Sequence, residues 1–251
     1  MITVEHAVKM FGALAAVNDV SFSLKPDEII GFVGPNGSGK STLMRMLATY
    51  LYPTSGRLSV AGFDVVDHPI EARANLGYLP GDTPLYADMR VGRFLEFIGR
   101  AQGLSGAGLR GRLDWVIARC ALTEVLAKRI KACSTGFRKR IGLAAALIHD
   151  PQVLLLDEPT HGLDPLQILA WRELLRDLRP GRTILLSSHV ISEVATVCDR
   201  LLIINEGRLL ADGRVDELLR AEGLSSNELE ELFLRVVRRY YAQEKEATHA
   251  V

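Results

Sequence analysis

An α/β fold, with a mostly parallel buried sheet, a small β layer ahead of it and a helical middle, follows from three features of this 251-residue chain. The apolar run Ile29 to Val33 stops at a glycine-rich turn and continues into helix-forming residues from Thr42 to Tyr50, so strand, loop and helix follow in succession. Val153 to Leu156, Thr183 to Leu186 and Leu201 to Ile204 are short apolar runs of the kind a parallel sheet buries on both faces. The middle of the chain, from Val91 to Ile148, reads as helix.

From the N-terminus, Ile2 to Phe22 shows strand alternation around a glycine turn at Gly12, with Val20, Phe22 and Leu24 on one face and Ser21 and Ser23 on the other. Leu58 to Ala61 and Gly77 to Leu79 read as further strands. Val91 to Gln102 and Leu113 to Leu126 read as helices joined by the glycine-rich stretch Gly103 to Gly111. After Ser134 a helix sets Ile141, Ala145 and Ile148 on one side. Asp164, Pro165 and Gln167 supply the cap, the first-turn proline and the third-position amide of another helix. From Ser225, with Glu228 three residues on, a last amphipathic helix aligns Leu229, Leu232, Phe233, Val236, Val237 and Tyr240.

Composition narrows the function classes. Thirty basic and thirty acidic side chains cancel, so no net field draws the chain to nucleic acid or to an anionic lipid surface, and no nucleic-acid partner is expected. The three cysteines, Cys120, Cys133 and Cys198, are widely spaced and unlike a disulfide or metal framework, which suits a reducing, cytoplasmic setting. No stretch approaches a membrane span, so a role at a membrane requires another chain to hold this one there.

Gly34-Pro35-Asn36-Gly37-Ser38-Gly39-Lys40-Ser41, followed by Thr42, fits G-x-x-x-x-G-K-[ST] in its required context between strand and helix. The glycines let backbone N–H groups turn inward around phosphate oxygens, Lys40 adds a mobile cation, and Ser41 a hydroxyl for Mg²⁺. The plain alternative is a flexible glycine turn before a helix. Asp157-Glu158 ends the apolar strand from Val153, at the strand end where such sheets bind ligands. Asp157 is expected to hold Mg²⁺ and Glu158 to polarise the water that attacks a γ-phosphate, the alternative being two helix-capping acids.

Cys133-Ser134-Thr135-Gly136-Phe137-Arg138 precedes that strand, Asp157-Glu158-Pro159-Thr160 and Gly162-Leu163-Asp164 follow, and Ser188-His189 comes one strand later. In this set of motifs, residues 2 to 215 resemble the ATP-binding-cassette family, and within it the ATPases of multidrug and gliding-type exporters. The resemblance implies a P-loop NTPase core with an N-terminal antiparallel β layer and an inserted α-helical subdomain at about 82–145, together forming an ATP-binding domain 1–215 ahead of a C-terminal helical tail 216–251. It implies a Mg-dependent ATPase that binds ATP, drives a transmembrane permease subunit from the cytoplasmic face of the membrane, and pairs head to tail with a second copy of itself or a related subunit. On that reading Ser134 and Gly136 open a helix that faces the γ-phosphate held by the other subunit, and His189 contacts the same phosphate. In isolation His189 reads as a helix-start or core histidine. Phe11 takes the adenine-stacking position with Val17 beside it, or both belong to the core.

The chain departs from that family at Tyr78-Leu79-Pro80-Gly81, where members carry Gln after the proline. Asp82 then stands as a substitute metal contact, or hydrolysis is slow. Cys133 and Thr135 replace the usual Leu and a frequent Gly. A regulatory ATP-binding protein without transport and a soluble P-loop kinase are the competing functions, the second lacking an acceptor site and leaving the signature unexplained.

Overall fold

The computed structural model describes residues 1–249, with side chains as far as Ala242. In chain order the elements are β1 (Ile2–Phe11), β2 (Leu14–Leu24), β3 (Ile29–Val33), α1 (Lys40–Leu47), β4 (Ser55–Val60), β5 (Phe63–Asp64), α2 (Pro69–Ala74), β6 (Leu76–Leu79), α3 (Val91–Ala101), α4 (Gly106–Arg119) and α5 (Thr135–Leu147). There follow β7 (Val153–Leu156), α6 (Pro165–Leu178), β8 (Thr183–Ser188), α7 (Ile191–Ala195), β9 (Arg200–Asn205), β10 (Arg208–Arg214), α8 (Val215–Ala221) and α9 (Leu229–His249).

Two sheets form. The N-terminal one has the order β2-β1-β4-β5 and is antiparallel throughout. The larger one has the order β10-β9-β3-β8-β7-β6, with every pairing parallel except that of the edge strand β10 with β9. Successive residues of its central strands enter opposite apolar cores. Ile29, Val33, Leu154, Leu156, Ile184 and Leu186 face the core lined by α3, α5 and α6, whereas Ile30, Phe32, Val153, Leu155 and Leu185 face the core shared with α1 and the antiparallel sheet. Burial on both faces is why these strands read as unbroken apolar runs.

The helices α3, α4 and α5 lie between β6 and β7. α4 begins seven residues earlier than the sequence suggested and stops at Arg119, while Thr123–Val125 forms a separate 3₁₀ turn. Tertiary contacts override the poor helix propensity of Gly106, Gly108 and Gly111. Leu109 is buried close against Gly99 of α3, where a Cβ would lie 2.4 Å from the leucine Cδ1. Arg112 also donates to the terminal carbonyls of α5, Leu147 O at 2.7 Å and Ile148 O at 3.0 Å. In the tail, Leu229, Leu232 and Val236 of α9 are buried in the first core, and Ser225 N donates to Glu228 Oε2 at 2.9 Å as the capping pattern requires. All three cysteines are buried and unpaired. Among the described residues no helix is long and apolar enough to cross a membrane.

Candidate functional site

Because β3, β8 and β7 are parallel neighbours, their C-terminal ends open on one edge, and each is followed by a motif residue. After β3 the chain wraps through Gly34 to Gly39 into α1. Its glycines are required by space and by backbone conformation. A Cβ at Gly34 would meet Ile204 O at 2.2 Å, and Gly39, at φ 103, would meet Ala16 O at 2.3 Å. Gly39 is also the N-cap of α1 and offers no side-chain cap, so the amides of the first turn are left for another acceptor. The Ser38 hydroxyl is buried without a hydrogen-bond partner among the described residues. Lys40 is 5% exposed, and its ammonium donates to Gly34 O at 2.7 Å and Pro35 O at 2.9 Å, inside the loop. Burial lowers its pKa, opposed by the charges of Glu158 and Asp157.

After β7, Asp157 is buried, and Oδ1 accepts from Ser41 Oγ at 3.1 Å and from Ser187 Oγ at 2.6 Å. Glu158 stands at φ 48, in the left-handed region, with its N–H on Ser187 Oγ at 3.0 Å. One of its carboxylate oxygens lies 4.0 Å from Lys40 Nζ, and the other 2.9 Å from His189 Nδ1, which follows β8. A carboxylate only accepts, so Nδ1 carries the hydrogen of this contact. The loop beyond is pinned by Trp171 Nε1 to Pro159 O at 2.9 Å and by Thr160 Oγ1 to Glu193 Oε2 at 2.7 Å.

The remaining motif residues lie on separate surfaces. Ser134 is exposed at the N-cap of α5, where its hydroxyl accepts from Phe137 N at 3.4 Å. Gly136 is buried beside it, against the Gln167 side chain of α6. Phe11 is 49% exposed at the end of β1, with the Lys9 ammonium 5.3 Å from its ring centre. Val17 does not share that surface: its side chain is fully buried in the second core, the role left open above. Asp82 is exposed, and its charge acts on Lys139.

These residues fit a Mg-nucleotide. The glycine cradle, the uncapped start of α1, the buried ammonium and the orphaned Ser38 hydroxyl all suit phosphate oxygens. Ser41 and Asp157 form a pair of oxygen donors, the chemistry Mg²⁺ prefers when phosphates and water supply the rest. Among the described residues no group of three or more His, Cys, Asp or Glu forms a self-sufficient metal site.

A family profile described as "ABC transporter" matches residues 17–161. The chain is 37% identical, over 87% of its length and 89% of the relative's, to the ABC transporter ATP-binding protein NatA of Bacillus subtilis (strain 168). It belongs to the ABC transporter family. It is an ATP-binding and ATP-hydrolysing subunit of such a transporter, and the regulatory alternative is not favoured. A second relative, the Nod factor export ATP-binding protein I of Ralstonia nicotianae (strain ATCC BAA-1114 / GMI1000), is 37% identical over 88% of this chain and 70% of its own. A solved structure titled "Structure of ATP binding subunit of ABC transporter" superposes with a TM-score of 0.85 at 28% identity, covering 94% of this chain and 99% of that one. A shorter profile, "AAA domain, putative AbiEii toxin, Type IV TA system", overlaps residues 129–195.

Sequence reasoning on this ABC subunit missed Ser187, Lys139 and Gln167 as site residues. Ser187 carries a signal, a hydroxyl directly after the apolar run Ile184 to Leu186, fully buried and shared between Asp157 and Glu158. Lys139 and Gln167 carry none, since a polar residue on a helix reads as surface until its neighbours are known.

Proposed function

We propose that this subunit hydrolyses ATP between two copies paired head to tail, and that closure of the pair drives export through a transmembrane permease at the cytoplasmic face. The observation that supports this most is the contact chain Lys40, Glu158, His189 beside the phosphate loop, with the Ser134 tip exposed on the same chain. Lys40 and the loop amides of residues 34–41 hold the triphosphate, with Thr42 behind them and Phe11 against the base. Ser41 and Asp157 are the residues that hold Mg²⁺. When bound, that ion neutralises phosphate charge. Glu158 takes the proton of the attacking water and His189 orients Glu158 and meets the γ-phosphate. Ser134 and Gly136 of the second copy close the site with the N-terminus of α5, so release of phosphate removes the charge that holds the interface. Export is supported by the Nod factor relative. Light scattering of the chain with and without Mg-ATP tests the pairing; a monomer under saturating nucleotide, in the Glu158→Gln background as well, refutes it.

Two further outcomes are expected. Gly136→Ala places a methyl group 2.8 Å from Gln167 Oε1, the mobile end of a side chain, so the variant folds by shifting Gln167. Its ATP binding is retained and its nucleotide-dependent dimer is lost, read as monomer in scattering with unchanged nucleotide affinity. At Gly81 an added Cβ has Asp157 O at 3.5 Å, an ordinary contact, so the first carbon of Gly81→Gln causes no clash. Its turnover rises severalfold if an amide there completes the water site; unchanged turnover removes position 81 from the mechanism.

We infer that the permease docks at a groove of about 280 Å³ between the inserted helices and the main sheet, lined by Tyr50, Arg73, Tyr78, Leu85, Phe94 and His149. Tyr50 is 73% exposed there, an aromatic side chain suited to a partner surface. Tyr50→Ser is expected to leave turnover of the isolated subunit unchanged and to abolish its co-purification with the permease from membranes.

A further inference from the structure

Lys139 lies on α5, one turn beyond Gly136, and is only 7% exposed. Its ammonium donates to Gly81 O at 3.0 Å and to Glu158 O at 3.2 Å. Gly81 follows β6, Glu158 follows β7, and α5 belongs to the inserted helices, so one cation joins three segments that are distant in sequence. Burial lowers the pKa of this lysine, and the charges that oppose the shift are those of Asp157, Asp82 and Glu158, in that order. An ammonium is expensive to bury, and its interactions must offset that cost. What it secures here is the backbone of Glu158. That residue stands at φ 48 with three backbone contacts: its N–H donates to Ser187 Oγ, and its carbonyl accepts from the His161 N–H at 3.2 Å within its own loop and from Lys139, which ties it to the inserted helices. Non-glycine residues persist in this conformation only when their surroundings impose it. Gly81 has no side chain, and the Lys139 ammonium is the polar group that reaches its carbonyl.

We propose that Lys139 is a positioning residue for hydrolysis, clamping Glu158 between the β6 loop and the helix that carries Ser134 and Gly136, so that the Glu158 carboxylate meets the attacking water in line. This rests on the assignment of Glu158 as the base. The arrangement also links the tip that serves one nucleotide to the carboxylate that acts on the other, because both are attached to the same helix.

The test is Lys139→Met in the full chain, which keeps the stem and removes charge and donors. Mg-ATP turnover, normalised to nucleotide-binding sites, is expected to fall on the order of 10- to 100-fold, the cost of a small misplacement, while the Kd for Mg-ATP stays within about twofold. Lys139→Arg, which restores charge and donors, regains most of the lost kcat. A purely structural lysine would lower the Tm and leave kcat per site as in the parent chain, and that result overturns the proposal. If Lys139→Met does not accumulate as folded protein, Lys139→Gln carries the same comparison of kcat with Kd. Glu158→Gln, measured alongside, separates the two assignments: retained turnover there refutes the base, whereas lost turnover there with normal kcat in Lys139→Met refutes the clamp alone.

Discussion

Glu158→Gln lowers Mg-ATP turnover by about 10²- to 10⁴-fold, the range for a removed general base, while leaving nucleotide affinity close to that of the parent chain. The substitution is nearly isosteric. The introduced amide oxygen still accepts from His189 Nδ1, and the backbone bonds to Ser187 and Lys139 are untouched, so the geometry around φ 48 persists. What is lost is the ability to take a proton. With hydrolysis stopped and the phosphate charge retained, the variant accumulates as a nucleotide-bound dimer. Single-turnover hydrolysis together with light scattering measures both effects. Parent-like turnover would move the base to another residue.

Lys40→Met has an effect of similar size at a different step. It removes the cation buried within the phosphate loop, and Mg-ATP affinity falls on the order of 10²- to 10³-fold, as when a preorganised electrostatic contact is deleted from a dry site. Stability moves the other way. Burial depresses the folded-state pKa of Lys40, so the unfolded chain holds this proton more tightly than the folded chain. The lysine's cost is therefore fully present at neutral pH and fades only as pH rises through the lowered pKa. Replacing it with an apolar side chain of similar length leaves Tm equal or higher. A loss of both nucleotide binding and Tm would show that Lys40 supports the fold instead. Titration calorimetry and thermal unfolding of one preparation decide the matter.

Much of the site was readable because it is local. The eight positions from Gly34 to Ser41 lie on one turn, and their spacing alone states that a backbone cradle precedes a lysine and a hydroxyl. Asp157 and Glu158 were readable because an apolar strand must end somewhere, and charged residues at its end face a ligand edge. The Asp164 cap was readable from its local spacing to Pro165 and Gln167, and its carboxylate accepts from Gln167 N at 2.9 Å. Errors arose where packing overrode local preference. Three glycines from Gly106 to Gly111 signalled a loop, yet contacts of Leu109 and Arg112 draw them into α4. The edge strand β10, Arg208–Arg214, escaped notice because none of its residues is buried and its polar and apolar side chains do not alternate, and only its pairing with β9 makes it a strand.

Residue order thus establishes the α/β framework, the phosphate loop, the acidic strand end and the helix that begins at Ser134, since each is a short stretch whose periodicity or spacing carries its own physical meaning. The register of β3, β8 and β7 places the phosphate loop, the acidic strand end and His189 at one edge, and the fold alone selects Ser187 and Lys139 to hold Glu158. The division has one cause. A hydrogen bond between residues 19 or 29 positions apart depends on how sheets and helices pack, and no pattern confined to neighbours along the chain encodes it.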